Sequence, residues 1–167
     1  YVEEDAAGEE SDDVLAVVKD AAQLWAGSLR QYGKAYPLYR RLLEARPDNR
    51  QVFTAMEQAL IAGEMWKQLA ESYWREVDAS LDEDRQADLL SRLANVALDA
   101  LDDREEAARA FQRILEIRPE NHTARSRLEK VLADAQRHQD LLDLLRDRLA
   151  RTEGTESRAP VYLQIAQ

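Results

Sequence analysis

From Val14 onward, apolar residues recur at intervals of three and four and not in the alternation of two that a half-buried strand requires. Ala107, Ala110, Phe111, Ile114 and Leu115 follow the spacing i, i+3, i+4, i+7, i+8, which lines one face of a helix and points it at a core. Leu90, Leu93, Ala94, Ala97, Leu98 and Leu101 form the preceding stripe. Ala124, Leu128, Val131, Leu132 and Ala135 form the next, followed by Leu141, Leu144, Leu145 and Leu149. Short polar breaks at Gly63-Glu64, Asp102-Asp103 and Gln136-Arg137 suit turns between antiparallel neighbours. At Pro47-Asp48-Asn49 and Pro119-Glu120-Asn121, proline ends one helix and an Asn or acid caps the next. The pattern predicts helices near 13–29, 32–46, 50–62, 65–80, 84–101, 104–117, 122–135 and 138–152, with a ninth beginning near 157. Pro37 falls inside the second, where it removes a hydrogen bond and crowds the preceding turn, so that helix either starts nearer Tyr36 or kinks.

The chain also matches itself. Arg46-Pro47-Asp48-Asn49 lands on Arg118-Pro119-Glu120-Asn121 at a shift of 72 residues. Under the same shift Leu29, Ala35, Arg41, Leu43 and Glu44 meet Leu101, Ala107, Arg113, Leu115 and Glu116. Glu57, Leu60, Leu69, Ala87 and Ala94 meet Glu129, Leu132, Leu141, Ala159 and Ala166. Self-similarity of this kind marks stacked supersecondary units, each unable to bury its apolar face alone.

Charge adds a constraint on partners. Seven acids, Glu3, Glu4, Asp5, Glu9, Glu10, Asp12 and Asp13, crowd the first thirteen residues without a base among them, so 1–13 is expected to be an acidic linker or tail. The net charge of −10 opposes binding to phosphate backbones, which depends on Lys and Arg, and nucleic acid is not an expected partner. No apolar run is long enough for a membrane span, and no signal-peptide pattern opens the chain. The absence of cysteine removes disulfides and thiolate chemistry but leaves the compartment open, with the cytoplasm as the default. Because the chain opens without Met and stops within an apparent helix, it is expected to be part of a longer protein.

Ala35, Tyr39 and Pro47, repeated in identical spacing as Ala107, Phe111 and Pro119, resemble the small residue, aromatic and terminal proline of the second helix in tetratricopeptide repeats. Leu69 with Tyr73, and Leu141 with Leu145, take the small and aromatic places in the intervening units. Those units carry Leu81 and Glu153 in place of the proline, which suggests a longer loop after each. The usual Leu-Gly pair of the first helix is replaced by Met56-Glu57, Leu93-Ala94 and Leu128-Glu129. The resemblance runs from about residue 14 to the end. It implies an all-α, right-handed α-α superhelix with hairpins near 14–47, 48–82, 83–119 and 120–154 and the start of a fifth over 155–167.

The same resemblance implies a non-enzymatic interaction module within a larger scaffold, holding a peptide or protein in a groove lined by the first helix of each hairpin. Carried over residue by residue, that lining is Lys19, Gln23, Gln51, Thr54, Gln58, Asp88, Ser91, Arg92, Asn95, Ser126, Arg127 and Lys130. Amides and hydroxyls suit the backbone of an extended peptide, and Arg92, Arg127 and Lys130 favour an acidic segment. The competing reading of this face is a solvated surface whose charges pair with nearby acids. Chaperone-binding members of the family hold a C-terminal carboxylate in a clamp of Lys, Asn and Arg. Here Lys19 and Arg92 fit and Gln23 could replace the Asn, but Ala55 and Asp88 stand where an amide and a Lys are needed, so no tight clamp is expected. Among the aromatics, Trp25, Trp66 and Tyr73 read as core and Trp74, one residue off the stripe, as the most exposed.

Catalysis finds little foothold. His122 and His138 have no spaced partners for a metal site or triad, and the five glycines form no phosphate loop. No cofactor, metal or catalytic residue is therefore expected. The alternative role is a structural spacer or oligomerising arm, self-associating through Val161, Tyr162 and Ile165 of the open C-terminal helix.

Overall fold

The computed structural model describes residues 11–151, which are all helix and turn. Eight helices follow in order: α1 Asp12–Ala26, α2 Tyr32–Ala45, α3 Arg50–Ala62, α4 Trp66–Ala79, α5 Glu83–Asp99, α6 Arg104–Ile117, α7 His122–Asp134 and α8 His138–Arg151. Most of their ends fall within a residue or two of the positions that the apolar stripes predict. The ninth helix, the acidic segment up to residue 10 and the apolar residues Val161, Tyr162 and Ile165 lie outside the described residues.

The described residues divide between 82 and 83 into two compact units. Within the first, α1 packs on α2, α2 on α3 and α3 on α4; within the second, α5, α6, α7 and α8 pack in the same succession. Each unit is thus a run of antiparallel helices, every one resting on its sequence neighbours, which is the hairpin architecture that the tetratricopeptide resemblance implied.

Alanine sets how closely those helices approach. Ala22 on α1 and Ala35 on α2 are fully enclosed, and so are their repeat equivalents Ala94 on α5 and Ala107 on α6. Larger side chains fill the spaces beside them: Tyr39, Phe53, Leu60, Leu69 and Tyr73 in the first unit, Leu90, Leu93, Phe111, Ile114 and Leu132 in the second. A side chain such as Leu or Phe contributes about 1.5–3 kcal/mol when fully buried. Burial also raises the pKa of the Tyr39 phenol above its ordinary value, because the phenolate would lose its water.

The bends inside the hairpins repeat as closely as the core. Arg30, Glu64, Asp102 and Gln136 each adopt a left-handed backbone, with φ of 49°, 52°, 50° and 56°. Each stands two residues before the second helix of its hairpin. The backbone N–H of the next residue turns back to the first helix: Gln31 donates to Trp25 O and Asp103 to Ala97 O at 2.8 Å, and Met65 donates to Leu60 O and Arg137 to Leu132 O at 2.9 Å. The α2–α3 and α6–α7 joints between hairpins are side-chain capped. Asn49 Oδ1 accepts from Val52 N at 3.2 Å and Asn121 Oδ1 from Ala124 N at 3.0 Å. Asp103 caps α6 through Glu106 N at 2.9 Å.

One alternative falls away and one expectation needs correction. α2 runs from Tyr32 past Pro37, so of the two readings of Pro37 the start nearer Tyr36 does not hold. The hydrogen bond that Pro37 removes belongs to the carbonyl of Gly33; both residues are exposed, and water can take its place. The expected longer loop after α4 is also not there: Ser80, Leu81 and Asp82 connect α4 to α5 directly, and the added residues lengthen α5 to 17 residues against 13 in α3 and α7. Glu83 and Asp84 open that extension, where acids complement the helix dipole.

Gly63 closes α3 against α2, and a methyl group there would sit 2.8 Å from Tyr32 Cβ. At Gly33 nothing lies within 4 Å. Gly63→Ala is therefore expected to lower unfolding free energy by about 1–3 kcal/mol through overpacking. Gly33→Ala should raise it by about 0.5–1 kcal/mol, because it removes a flexible residue from a helix. Urea unfolding of both variants checks the pair, and equal effects would contradict this geometry.

Candidate partner-binding surfaces

Two kinds of surface arise from the repeated hairpin, one on its first helices and one between its second helices. On the first helices, Lys19 and Gln23 stand on α1, Gln51, Thr54 and Gln58 on α3, Ser91, Arg92 and Asn95 on α5, and Ser126, Arg127 and Lys130 on α7. All are exposed except Ser91, which is half-buried. In the second unit, Arg127 Nη1 donates to Asn95 Oδ1 at 2.7 Å, which ties α7 to α5. The Arg127 guanidinium also lies 5.8 Å from the centre of the Phe111 ring. Arg92 and Lys130 lie one turn from Asn95 and Arg127 along their helices, so three cations and an amide share a face two helices wide.

Several of these groups are already engaged. Asp88 lies 3.0 Å from Arg92, an exposed pair one helical turn apart. Thr54 donates to Arg50 O at 2.9 Å and Ser91 to Ala87 O at 2.8 Å, so neither hydroxyl has its hydrogen free for a ligand. Lys19 and Arg92, the two matches to the carboxylate clamp, belong to different units.

Of the aromatics expected in the core, Tyr73 is buried but Trp25 and Trp66 are not fully enclosed. Trp74 is half-buried, as are Trp25 and Trp66, so it is not the outlier expected from the stripe. Lys34 Nζ sits 4.4 Å above the Trp25 ring. Tyr73 is buried against Phe53, with ring centroids 6.2 Å apart, and its hydroxyl donates to Glu57 Oε1 at 2.6 Å. His122 and His138 open α7 and α8. Among the described residues no group of three or more His, Cys, Asp or Glu is placed to hold a metal, and no helix is long and apolar enough to cross a membrane.

The second surface was not anticipated. In the first unit a groove of about 190 Å³ runs over α3 between α2 and α4, with Leu43, Pro47, Phe53 and Met56 inside and Arg40, Glu44, Arg75 and Glu76 around it. The second unit has its counterpart over α7, between α6 and α8, at about 470 Å³. Residues 72 apart occupy corresponding walls: Leu43 and Leu115, Glu44 and Glu116, Pro47 and Pro119, Met56 and Leu128. The floors differ. Arg125 stands where Phe53 does; it is 7% exposed, its Nη2 donates to Pro119 O at 2.5 Å, and its Nε meets no acceptor. The sequence carried the signal for this site, because the self-match sets a charged residue in register with an aromatic just after each capping Asn.

No protein-family model matches the chain, and no curated protein matches it. Among solved structures it is similar to YrrB, described as a TPR protein with an unusual peptide-binding site, at 18% identity. The match covers 84% of this chain and 68% of that one, with a TM-score of 0.46.

Because Arg127 and its partner are exposed, their hydrogen bond should matter little to folding. Arg127→Ala is expected to change unfolding free energy by no more than about 0.5–1 kcal/mol in a urea titration. A larger loss would mean that the bond contributes to the stability of the fold and not only to the placing of the guanidinium.

Proposed function

We propose that this chain is a non-enzymatic protein–protein interaction module within a larger scaffold, and that it holds a peptide or protein partner on the first-helix face of its hairpins. An acidic segment of that partner lies on Arg92, Asn95, Arg127 and Lys130. The observation that carries this reading is the Arg127–Asn95 bond across α5 and α7, which holds one of the three cations in place ahead of any ligand. The Asp88–Arg92 pair is exposed and within one helix, where such pairs are worth only a few tenths of a kcal/mol, so an incoming carboxylate can compete for Arg92.

The test is recovery of a partner from lysate of the source cells on the immobilised 167-residue chain, beside the variant Arg92→Ala/Arg127→Ala/Lys130→Ala. At least a tenfold drop in recovered partner is expected, together with weaker recovery at high salt. Undiminished recovery by the triple variant would sink the reading.

A second reading, a structural or oligomerising repeat arm, draws on a different observation. Val14, Val17 and Leu24 form a stripe along α1 and are 42%, 68% and 53% exposed. An uncovered apolar stripe at helical spacing suits another helix packed against it. Light scattering after size exclusion should then show association that grows with concentration and disappears in Val17→Glu. A monomer at every concentration removes this version.

A further inference from the structure

The groove over α7 differs from its counterpart over α3 in charge as much as in size. Around the first, two arginines face two glutamates, and Arg40 already pairs with Glu44 at 2.9 Å. Around the second, Glu116, Asp140, Asp143 and Asp147 line the walls, and the one basic side chain among the lining residues is the buried Arg125. At the position of Arg75 the second unit carries Asp147, and at that of Arg40 it carries Gln112, so both rim cations of the first groove are gone. Inside, Ser72 gives way to Leu144, which adds an apolar wall to Leu115, Leu128 and Leu132.

The geometry points to this groove as a docking surface for a basic, leucine-bearing segment of a partner protein, separate from the first-helix face. Leucines of the segment fill the apolar trough. Its Lys or Arg side chains reach the four carboxylates, and its main-chain carbonyls are the acceptor that Arg125 lacks. Arg113, Arg137 and Arg146 lie 2.7 to 3.2 Å from Glu116, Asp140 and Asp143. They do not line the groove, and each pairs with an acid three residues away, two of the pairs exposed and Arg137–Asp140 half-buried; such local pairs are weak and leave the carboxylates open to a ligand. At about 470 Å³ the groove lies within the roughly 300–1,000 Å³ of known ligand sites, whereas the groove over α3 falls short of it. A nucleic acid or an anionic membrane would meet four carboxylates and be repelled.

The test uses the whole chain and a fluorescein-labelled amphipathic peptide with Leu at every third or fourth position and Lys between, followed by fluorescence anisotropy. Saturable one-to-one binding is expected, weakened at least tenfold by Asp143→Asn/Asp147→Asn. The same change of charge in the other unit, Asp48→Asn/Asp78→Asn, should leave the affinity unchanged. A peptide with Ser in place of each Leu should also bind at least tenfold more weakly, a result that cannot come from misfolding of the protein. Equal weakening by both pairs of substitutions would reduce the effect to diffuse attraction by an acidic chain and overturn the proposal. So would an unaltered affinity in the groove variant, or self-association of the free chain that the groove variant abolishes, which would make the occupant a second copy. The triple substitution on the first-helix face should not change this affinity, so either surface can fail without the other.

Discussion

Four alanine methyl groups with no space beyond them set the dimensions of this fold. Ala22 and Ala35 in one unit, and Ala94 and Ala107 in the other, are fully enclosed at equivalent positions of paired helices. A larger side chain at any of them would push the helices apart, and a smaller one would leave a void. With the backbones held that near, the aromatic and leucine side chains on either side have a defined volume to fill. The hairpin can then be copied along the chain because its spacing depends on a few small residues and not on its whole surface.

Copying the scaffold has not meant copying the chemistry. In the first unit the Glu57 carboxylate is held by the buried Tyr73 hydroxyl. In the second, Leu145 stands at the tyrosine's position, and Arg148, at the position of Glu76, reaches both oxygens of Glu129 at 3.0 and 3.3 Å. A neutral donor has been replaced by a charged one from the next turn of the helix, and the link between first and second helix is kept. Outside the core, Arg46 pairs with Asp12 and Arg118 with Asp84, again 72 residues apart. The copies diverge too on the floor of the groove between second helices, from phenyl ring to guanidinium.

The helices were legible because each has one sheltered stripe, and a period near 3.6 survives in any sequence that must fill it. The caps at Asn49 and Asn121 were legible for a local reason, a short side chain beside free backbone donors. The extent of α5 was legible in the same way, since its stripe predicts 84–101, but the missing proline misled: it suggests a longer loop, while Glu83, Asp84, Arg85 and Gln86 continue a helix once its downstream stripe is anchored. The enclosure of Arg125 was not legible. Judged by its own residue type it belongs on the surface, and only its register with Phe53 reveals that the fold needs bulk there. On the first-helix face, the sequence gives the list of polar groups but not which hydroxyls bond their own backbone, since that depends on rotamers.

The four left-handed bends have a bearing on how such a chain can change. Arginine, glutamate, aspartate and glutamine occupy one and the same place; of these only aspartate visits that backbone readily, and each tolerates a conformation that glycine would adopt more easily. What the four bends share is the left-handed residue two places before the second helix and the backbone bond returned by its successor, not a residue type or a length, since the connections 27–31, 63–65, 100–103 and 135–137 differ in size. Mutation can therefore rewrite these corners letter by letter, and even lengthen or shorten them by a residue or two, so long as the second helix still begins just past the left-handed residue with its sheltered stripe turned inward.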